Sequence, residues 1–486
     1  MSLILGLYAL VILFFVVRGA LKIKNMTDYA VGNINFPTWF IGLSLAASMT
    51  SAATFIINPG FIALYGFSGI ISFAIVMPIA SYVSLVVFTK GFSKYGSQVK
   101  ATTMAQWMGN RFESKSYSMF FGFVALLHIS FIVLINVGLT QIISKALGVD
   151  PYYVLMGICV FVFGYMMFGG ANSMVYTNTI QAFLKFIVAI VLIGSGYEFF
   201  GNGLGGFIDQ LNAIDPLLTK TTNEKSYLFR DYYEIILSQI VIGVAIVCQP
   251  HIITKSLLLK DQKKVNVFLI SAIAFLMVYF SVVVVGLYAR LSFPDLTYEG
   301  KVLKMDEIIP TYVVTHFSMG MTMLIVVGLI SAGLAALESL IQTISTTITS
   351  DLIGPILNNK SISSSVALNR IVIILLAIIS FYLSWDQISN PKLSVAIFAQ
   401  NGVYGYFSAA FVPVLFGTFI KKVRIQTVFI SSVVALLIHF SISYFSLTPY
   451  MQGPVKNPGI SASIAIVLSV LVGLILHKFG SKTSKT

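Results

Sequence analysis

The stretch SLAASMTSAATFIINPGFIALYGFSG, residues 44–69, decides the fold of this chain. It begins as an apolar helix rich in small residues, and it reaches Asn58-Pro59-Gly60 before a membrane crossing of about 20 residues is complete. Proline lacks the backbone donor that a helix interior needs. The stretch therefore predicts a membrane helix that is interrupted near its middle, at Asn58-Pro59-Gly60.

The composition predicts an all-α membrane protein. Of the 486 residues 57% are hydrophobic and 10% are charged, which leaves too few polar residues to cover a water-soluble globule. The apolar runs are long, whereas a membrane barrel would show short alternating segments. The run lengths predict about 13 transmembrane helices. These are expected to start near residues 3, 38, 68, 118, 152, 175, 234, 266, 318, 366, 394, 426 and 460.

The distribution of charge predicts the topology. With the N-terminus outside and the C-terminus in the cytoplasm, most Lys and Arg residues fall in cytoplasmic loops, and most acidic residues fall outside. We expect an integral protein of a bacterial inner membrane, in contact with lipid. Despite the net charge of +13, the basic residues form no continuous patch, so we expect no nucleic-acid partner.

The sequence offers little for catalysis. There is no Gly-Lys-Ser/Thr phosphate loop and no His-Glu-x-x-His zinc motif. The two cysteines, Cys159 and Cys248, lie inside apolar runs, so neither a disulfide framework nor a thiolate metal site is indicated. We therefore expect a protein that is not an enzyme and that has no cofactor.

A second interruption lies five predicted spans after the first, at Cys248-Gln249-Pro250-His251. A single proline in a membrane helix is often only a kink. Two interrupted helices at equivalent places in two five-helix halves instead indicate an inverted repeat, with a binding site at the midplane. Unwound backbone at such breaks exposes carbonyls to a cation and amides to an anion.

Four motifs resemble the sodium/solute symporter family, the group of the proline, sugar, pantothenate and sialic acid carriers. WFIGLSLAASMTSAATFIINPGFIALYG is similar to its first core helix, and CQPHIITKSLLLKD is similar to its sixth. GGANSMVYTNTIQAF and AALESLIQTISTTITSDLIGP are similar to its fifth and eighth core helices. The four motifs occur in the family's order, and the similarity covers essentially the whole chain.

The resemblance implies the LeuT-type fold and secondary active transport of a small solute driven by sodium. The fold consists of one extra helix, two inverted five-helix halves and two further helices. The corresponding boundaries are 1–24 for the N-terminal helix, 36–196 and 232–420 for the halves, and 425–477 for the C-terminal helices.

The resemblance also implies a sodium site between the first and eighth core helices. This chain departs from the family there, because Ala335 and Ala336 replace hydroxyl residues and Asn178 replaces an aspartate that supports the sodium region. A conventional site is thus put in doubt, since alanine offers a hard cation no side-chain oxygen. The predicted ion-binding residues are Ala47, Thr50, Ala332, Ala335, Glu338, Ser339 and Asn178.

Two ionisable residues of opposite sign lie well inside predicted spans, Glu338 in the eighth core helix and Lys185 in the fifth. Buried charges are costly unless they are paired or functional. One interpretation is an ion pair that only locks the two helices together. The other is that Glu338 supplies negative charge to the ion site, by binding sodium or by carrying a proton.

Polar residues near the two breaks are the candidates for solute binding. Ser51 and Thr54 follow from the resemblance. His128 lies mid-span, where it either binds the solute or makes a hydrogen bond between helices, and His251 either binds or caps the broken helix. The predicted substrate-binding residues are Ser51, Thr54, His128, Gln249, Gln400 and Asn401.

The sequence thus predicts a symporter that imports a small polar organic solute by alternating access, with Na⁺ as the cotransported ion and a single chain sufficient for transport. A proton-coupled or uncoupled carrier of the same fold, in which Glu338 replaces the usual sodium ligands, is the alternative. A non-transporting sensor is a third interpretation. The lack of a cytoplasmic output domain argues against it.

Overall fold

The computed structural model describes residues 2–99, 101–259, 262–358, 365–390, 395–453 and 455–482. These residues are almost entirely helical, which confirms the prediction of an all-α membrane protein. The one sheet among them is an antiparallel hairpin of Thr297–Tyr298 and Lys301–Val302.

Several helices change pitch along their length, so that short 3-10 and π turns adjoin α-helical segments. The helical segments up to residue 200 are Ser2–Ala20, Met26–Val31, Thr38–Met49, Ala53–Ile57, Asn58–Tyr65, Phe67–Ile70, Ile71–Val76, Met77–Val99, Met104–Arg111, Lys115–Ala125, Leu126–His128, Ile129–Leu147, Pro151–Ile158, Cys159–Phe163, Gly164–Gly194 and Tyr197–Phe200. The later ones are Gly203–Ile214, Pro216–Thr219, Tyr233–Ser238, Gln239–Ala245, Ile246–Cys248, Pro250–Ile253, Thr254–Leu258, Gln262–Lys264, Val265–Ser281, Val282–Val284, Val285–Ser292, Met305–His316, Met319–Thr347, Ile348–Ile353, Gly354–Ile356, Val366–Ser389, Val395–Phe419, Ile425–Phe445, Pro449–Met451 and Pro458–Lys482.

Ten helices in the described ranges are long and apolar enough to cross a membrane, or up to 12 if each of two bent pairs is one span. One of the ten, Pro151–Phe200, has 50 residues and contains Gly170 with φ 64° and ψ −169°. A crossing needs only about 20 residues, so this segment is long enough for two. The count of 13 requires such a division and stays a prediction.

Both predicted interruptions are present. The first broken helix consists of Thr38–Met49 and Ala53–Tyr65, bent by 59°, and the second consists of Tyr233–Cys248 and Pro250–Leu258, bent by 60°. The second break lies at Gln249, whose backbone is extended with φ −65° and ψ 138°. The predicted place of this break, at Cys248-Gln249-Pro250-His251, is confirmed.

The predicted position of the first break is wrong. The helix ends at Met49 and resumes after Ser51, whereas Asn58-Pro59-Gly60 lies inside a helical segment. A π turn at Ala53–Ile57 precedes the proline. The helix continues from this π turn through Pro59, so the missing N–H of the proline does not end it. Thr50 adopts extended backbone instead, with φ −118° and ψ 131°.

The first broken helix is packed on several sides within the bundle. Thr38–Met49 lies against Val265–Ser281, against Gly164–Gly194, called here the kinked helix, and against Met319–Thr347, called here the long helix. The long helix is buried along nearly its whole length from Ile325 onward. The N-terminal helix packs on the kinked helix, and the two C-terminal helices pack on each other. The break therefore lies in protein rather than against lipid, where exposed backbone would be costly.

Substitution of Gly170 tests whether the kink requires a glycine. The backbone conformation of Gly170 is essentially restricted to glycine, and a Cβ there would lie 2.8 Å from Cδ2 and 2.9 Å from the carbonyl oxygen of Tyr29. We expect Gly170→Ala to destabilise the protein by roughly 1–3 kcal/mol, measured as a lower midpoint of thermal unfolding in detergent. Gly157→Ala is the control, because no atom lies within 4 Å of its Cβ position. Equal midpoints for the two variants would contradict the strain at Gly170.

Candidate functional site

The first break exposes the C-terminal end of Thr38–Met49. The last carbonyls of a helix have no partner within it, and they carry the negative end of the helix dipole. The carbonyls of Ala47 and Thr50 belong to this end, and both residues are fully buried. The Thr50 hydroxyl donates to the Ala46 carbonyl at 2.9 Å, so its oxygen can still accept a hydrogen bond. This helix end is therefore suited to a cation.

Lys185 of the kinked helix places its ammonium at this helix end. Its Nζ donates to the Ala47 carbonyl at 2.7 Å, and to both the carbonyl and the hydroxyl of Thr50 at 3.0 Å. The ring of Tyr279 lies 5.4 Å from Nζ, within the range of a cation–π interaction. Lys185 is fully buried. The structure thus brings Lys185 to the two carbonyls that were predicted as sodium ligands.

The long helix faces this region, as the resemblance implied. Ala335 packs in one apolar cluster with Ala47 and Ala182. Ser339 lies 2.8 Å from Ser48, oxygen to oxygen. Ala332 is buried in the larger apolar core instead. Of the residues predicted on the long helix, Ala335 and Ser339 therefore reach the first broken helix.

Glu338 and Lys185 do not form the ion pair that one interpretation of the sequence predicted, and the role of Glu338 at the ion site stays a prediction. Neither of these two described residues has an ion-pair partner in the structure. One carboxylate oxygen of Glu338 accepts from Tyr165 at 2.6 Å and from Gln181 at 3.0 Å, and the other accepts from Thr177 at 2.6 Å. Three neutral donors of the kinked helix satisfy the carboxylate. The ammonium is satisfied separately by the helix end.

Asn178 connects the kinked helix to the first broken helix. Its amide nitrogen donates to the hydroxyls of Ser44 and Ser48, each at 3.2 Å. Lys255, in the segment Thr254–Leu258, also reaches Ser44, with its Nζ 3.1 Å from the hydroxyl. Lys255 is one of the basic residues that the predicted topology places in cytoplasmic loops, but its side chain is buried. The available signal was a basic residue three positions after the last residue of the Gln-Pro-His-Ile motif.

The second break carries polar atoms without partners. Gln249 donates to the Ile246 carbonyl at 3.2 Å, but its Oε1 has no hydrogen-bond partner among the described residues. The same holds for Nδ1 of His251 and for Nε2 of His128. The two imidazole rings lie 5.9 Å apart, centroid to centroid, and the ring of Tyr406 lies 4.4 Å from that of His128. All are buried.

The other predicted substrate residues divide into two groups. Ser51 and Thr54 are buried at the first break, where the Ser51 hydroxyl accepts from the backbone N–H of Ala53 at 3.2 Å. Gln400 is half-buried in Val395–Phe419. The side chain of Asn401 accepts a hydrogen bond from Ser443 at 3.1 Å, in a C-terminal helix outside the predicted core. Asn401 thus has a structural partner, and its role in solute binding stays a prediction.

The described part of the chain buries two further acidic residues that the sequence did not single out. Glu234 bonds to Arg230 at 2.6 Å and to Asn457 at 2.8 Å, and it therefore connects the second broken helix to the last helix. Asp351 accepts from Thr103 at 2.7 Å. Both residues lie near helix ends, so a criterion that selects charges deep within predicted spans does not identify them.

The chain matches a known protein family. Residues 29–435 match the model of the Sodium:solute symporter family. A sodium/pantothenate symporter of Haemophilus influenzae is 24% identical over 60% of this chain and 58% of its own length. A sodium/sialic acid symporter of Proteus mirabilis is 21% identical over 87% of this chain and 85% of its own. The chain thus spans somewhat more than half the length of the pantothenate relative.

A solved structure of a Na⁺-coupled sialic acid symporter in a substrate-bound, outward-open state has a similar fold. It superimposes with a TM-score of 0.79 at 18% sequence identity, and the match covers 98% of this chain and 97% of that one. This likeness confirms the predicted fold class, and the family match extends over most of the chain. The protein is an integral membrane protein and belongs to the sodium:solute symporter family.

Proposed function

We propose that the protein is a secondary active transporter that imports a small polar organic solute by alternating access. The observation that carries this proposal is the juxtaposition of two broken helices inside the bundle. Pro250–Ile253 of the second packs against Thr38–Met49 of the first, and Lys255 bonds to Ser44 across them. Broken helices that meet in this way supply the backbone and side-chain groups from which such transporters build their sites. Because both breaks belong to one chain, a single chain suffices for transport.

The solute binds at the second break in this proposal. A buried polar atom without a partner costs about 1–3 kcal/mol. Three such atoms belong to Gln249, His251 and His128, and the two imidazole rings lie 5.9 Å apart. Neutral imidazoles offer both a donor and an acceptor, and the free amide oxygen offers an acceptor. Hydroxyl and carboxyl groups of a small solute match this set.

Sodium is the proposed coupling ion, and membership of a sodium-coupled family supports it. Coupling requires that ion and solute each favour the same state of the transporter, so that removing a ligand of one weakens both. A second candidate is a proton-driven or uncoupled carrier. The contacts of Lys185 with Ala47 and Thr50 favour it, because an ammonium stands where the resemblance implies sodium.

Uptake into proteoliposomes tests the function. The solutes named for the relatives form the panel: pantothenate, proline, glucose, sialic acid and myo-inositol. We expect accumulation of a solute above its equilibrium level under an inward Na⁺ gradient, abolished by a sodium ionophore. Accumulation under a proton gradient alone would select the second candidate. Equilibration without accumulation under either gradient would contradict active transport.

Variants at the second break locate the solute. We expect His128→Phe and Gln249→Leu each to raise the KM for uptake roughly tenfold, the effect of losing one hydrogen bond to the solute. His316→Gln is the control, because His316 lies outside the breaks, 3.6 Å from Glu198. An unchanged KM in both break variants would place the solute elsewhere.

Glu338 has two separable roles in this proposal. Glu338→Leu leaves the donors of Tyr165, Thr177 and Gln181 without an acceptor, so we expect it to lower the unfolding midpoint more than Glu338→Gln does. If Glu338 also supplies charge to the ion site, Glu338→Gln abolishes ion-driven uptake while the protein stays folded. Full uptake by Glu338→Gln would restrict Glu338 to holding the two helices together.

The proposed orientation, with the N-terminus outside a bacterial inner membrane, can be tested by labelling. Glu224 and Lys421 are both exposed, and they lie on opposite sides in this topology. We expect a membrane-impermeant maleimide to label Glu224→Cys on spheroplasts, and Lys421→Cys only after permeabilisation. The native Cys159 and Cys248 are buried and serve as the unlabelled background. The reverse labelling pattern would invert the topology.

A further inference from the structure

We propose that the ammonium of Lys185 is the resident cation of the first break, taking the place of the free sodium ion that the resemblance implies there. For its part in transport this inference rests on the proposed function, and it requires that any coupled sodium ion binds outside the first break. The cation is then a covalently attached part of the kinked helix. It holds the broken helix in position without an ion from solution.

The donors and acceptors match in number. An ammonium has three N–H donors. The first break presents three oxygens to it, namely the carbonyls of Ala47 and Thr50 and the hydroxyl of Thr50, all at 2.7–3.0 Å. Each donor has its acceptor, and the buried side chain needs no other polar partner.

The apolar cluster around Ala47 offers no side-chain oxygen to a free cation. Hard cations are bound in proteins by several oxygen ligands. The facing residues Ala182 and Ala335 pack against Ala47 with methyl groups, and alanine contributes no side-chain oxygen. The nearby Ser339 hydroxyl is engaged with Ser48 and with the Ala335 carbonyl.

The charges around the break also disfavour an additional ion. A second ammonium, that of Lys255, lies at Ser44 in the same helix. The carboxylate of Glu338 is occupied by Tyr165, Thr177 and Gln181. A sodium ion beside Lys185 would therefore meet like charge in a medium that screens it poorly.

Removal of the side chain should reveal the site. Lys185→Ala deletes the chain from Cγ to Nζ, which n-propylammonium reproduces. We expect n-propylammonium chloride to raise the unfolding midpoint of this variant by roughly 2–4 °C over choline chloride at equal ionic strength. Wild type and Lys185→Met, in which the cavity is filled, should show no such rise. Uncharged n-propanol should not replace the amine in Lys185→Ala. If the amine stabilises Lys185→Ala no more than Lys185→Met, the inference is wrong.

A second measurement does not depend on the folding of Lys185→Ala. Thr50→Ala removes one of the three oxygens, so a free sodium ion bound there in the wild type would lose a ligand. We expect the difference in unfolding midpoint between NaCl and choline chloride to be the same in Thr50→Ala and wild type. A smaller sodium effect in Thr50→Ala would overturn the inference. Both assays use purified protein and simple salts, so their failure is distinct from a failure to accumulate solute in proteoliposomes.

Discussion

The structure depends on how one helix end inside the bundle is satisfied. When Thr38–Met49 stops at Thr50, its terminal carbonyls are left far from water, and such groups are costly unless they are bonded. Lys185 supplies the donors from the kinked helix, and the carbonyls in turn compensate the burial of the ammonium. These hydrogen bonds offset the cost of burying both groups, and they join the kinked helix to the first broken helix where it turns. The contacts of Asn178, Ser48 and Ser339 then align the kinked and long helices around that turn.

The two breaks differ in how the groups at the interruption itself are paired. At the first break the carbonyls, hydroxyl and ammonium satisfy one another. At the second, Gln249, His251 and His128 keep buried polar atoms without partners in the described part of the chain. A satisfied network stiffens a core, whereas unsatisfied groups have free energy to gain from a ligand. The same kind of helix interruption is thus bonded by Lys185 at the first break, and in our proposal it binds the solute at the second.

The sequence predicted correctly those features that depend on neighbouring residues and that recur along the chain. Composition and run length identified membrane helices, and proline beside glycine or an amide identified two interrupted ones. The predicted position of the first break was wrong, because the helix continues from a π turn through Pro59. It breaks instead at Thr50, whose backbone is extended. Lys255 was missed as well, because charge near the end of a span resembles a cytoplasmic loop in sequence.

The sequence by itself determined that lipid surrounds the protein, that its fold is helical and that two of its helices are broken. It also determined that Glu338 and Lys185 lie inside membrane-spanning segments. Those properties follow from hydropathy and from residue types that act over a few turns. Only the tertiary structure decided which groups these charges meet. Helical spacing places a side chain on a face, but the partner depends on how far a neighbouring helix approaches and where it ends. Lys185 and Glu338 therefore lie on packed helices without pairing, because a closer set of carbonyls serves the one and three neutral donors serve the other.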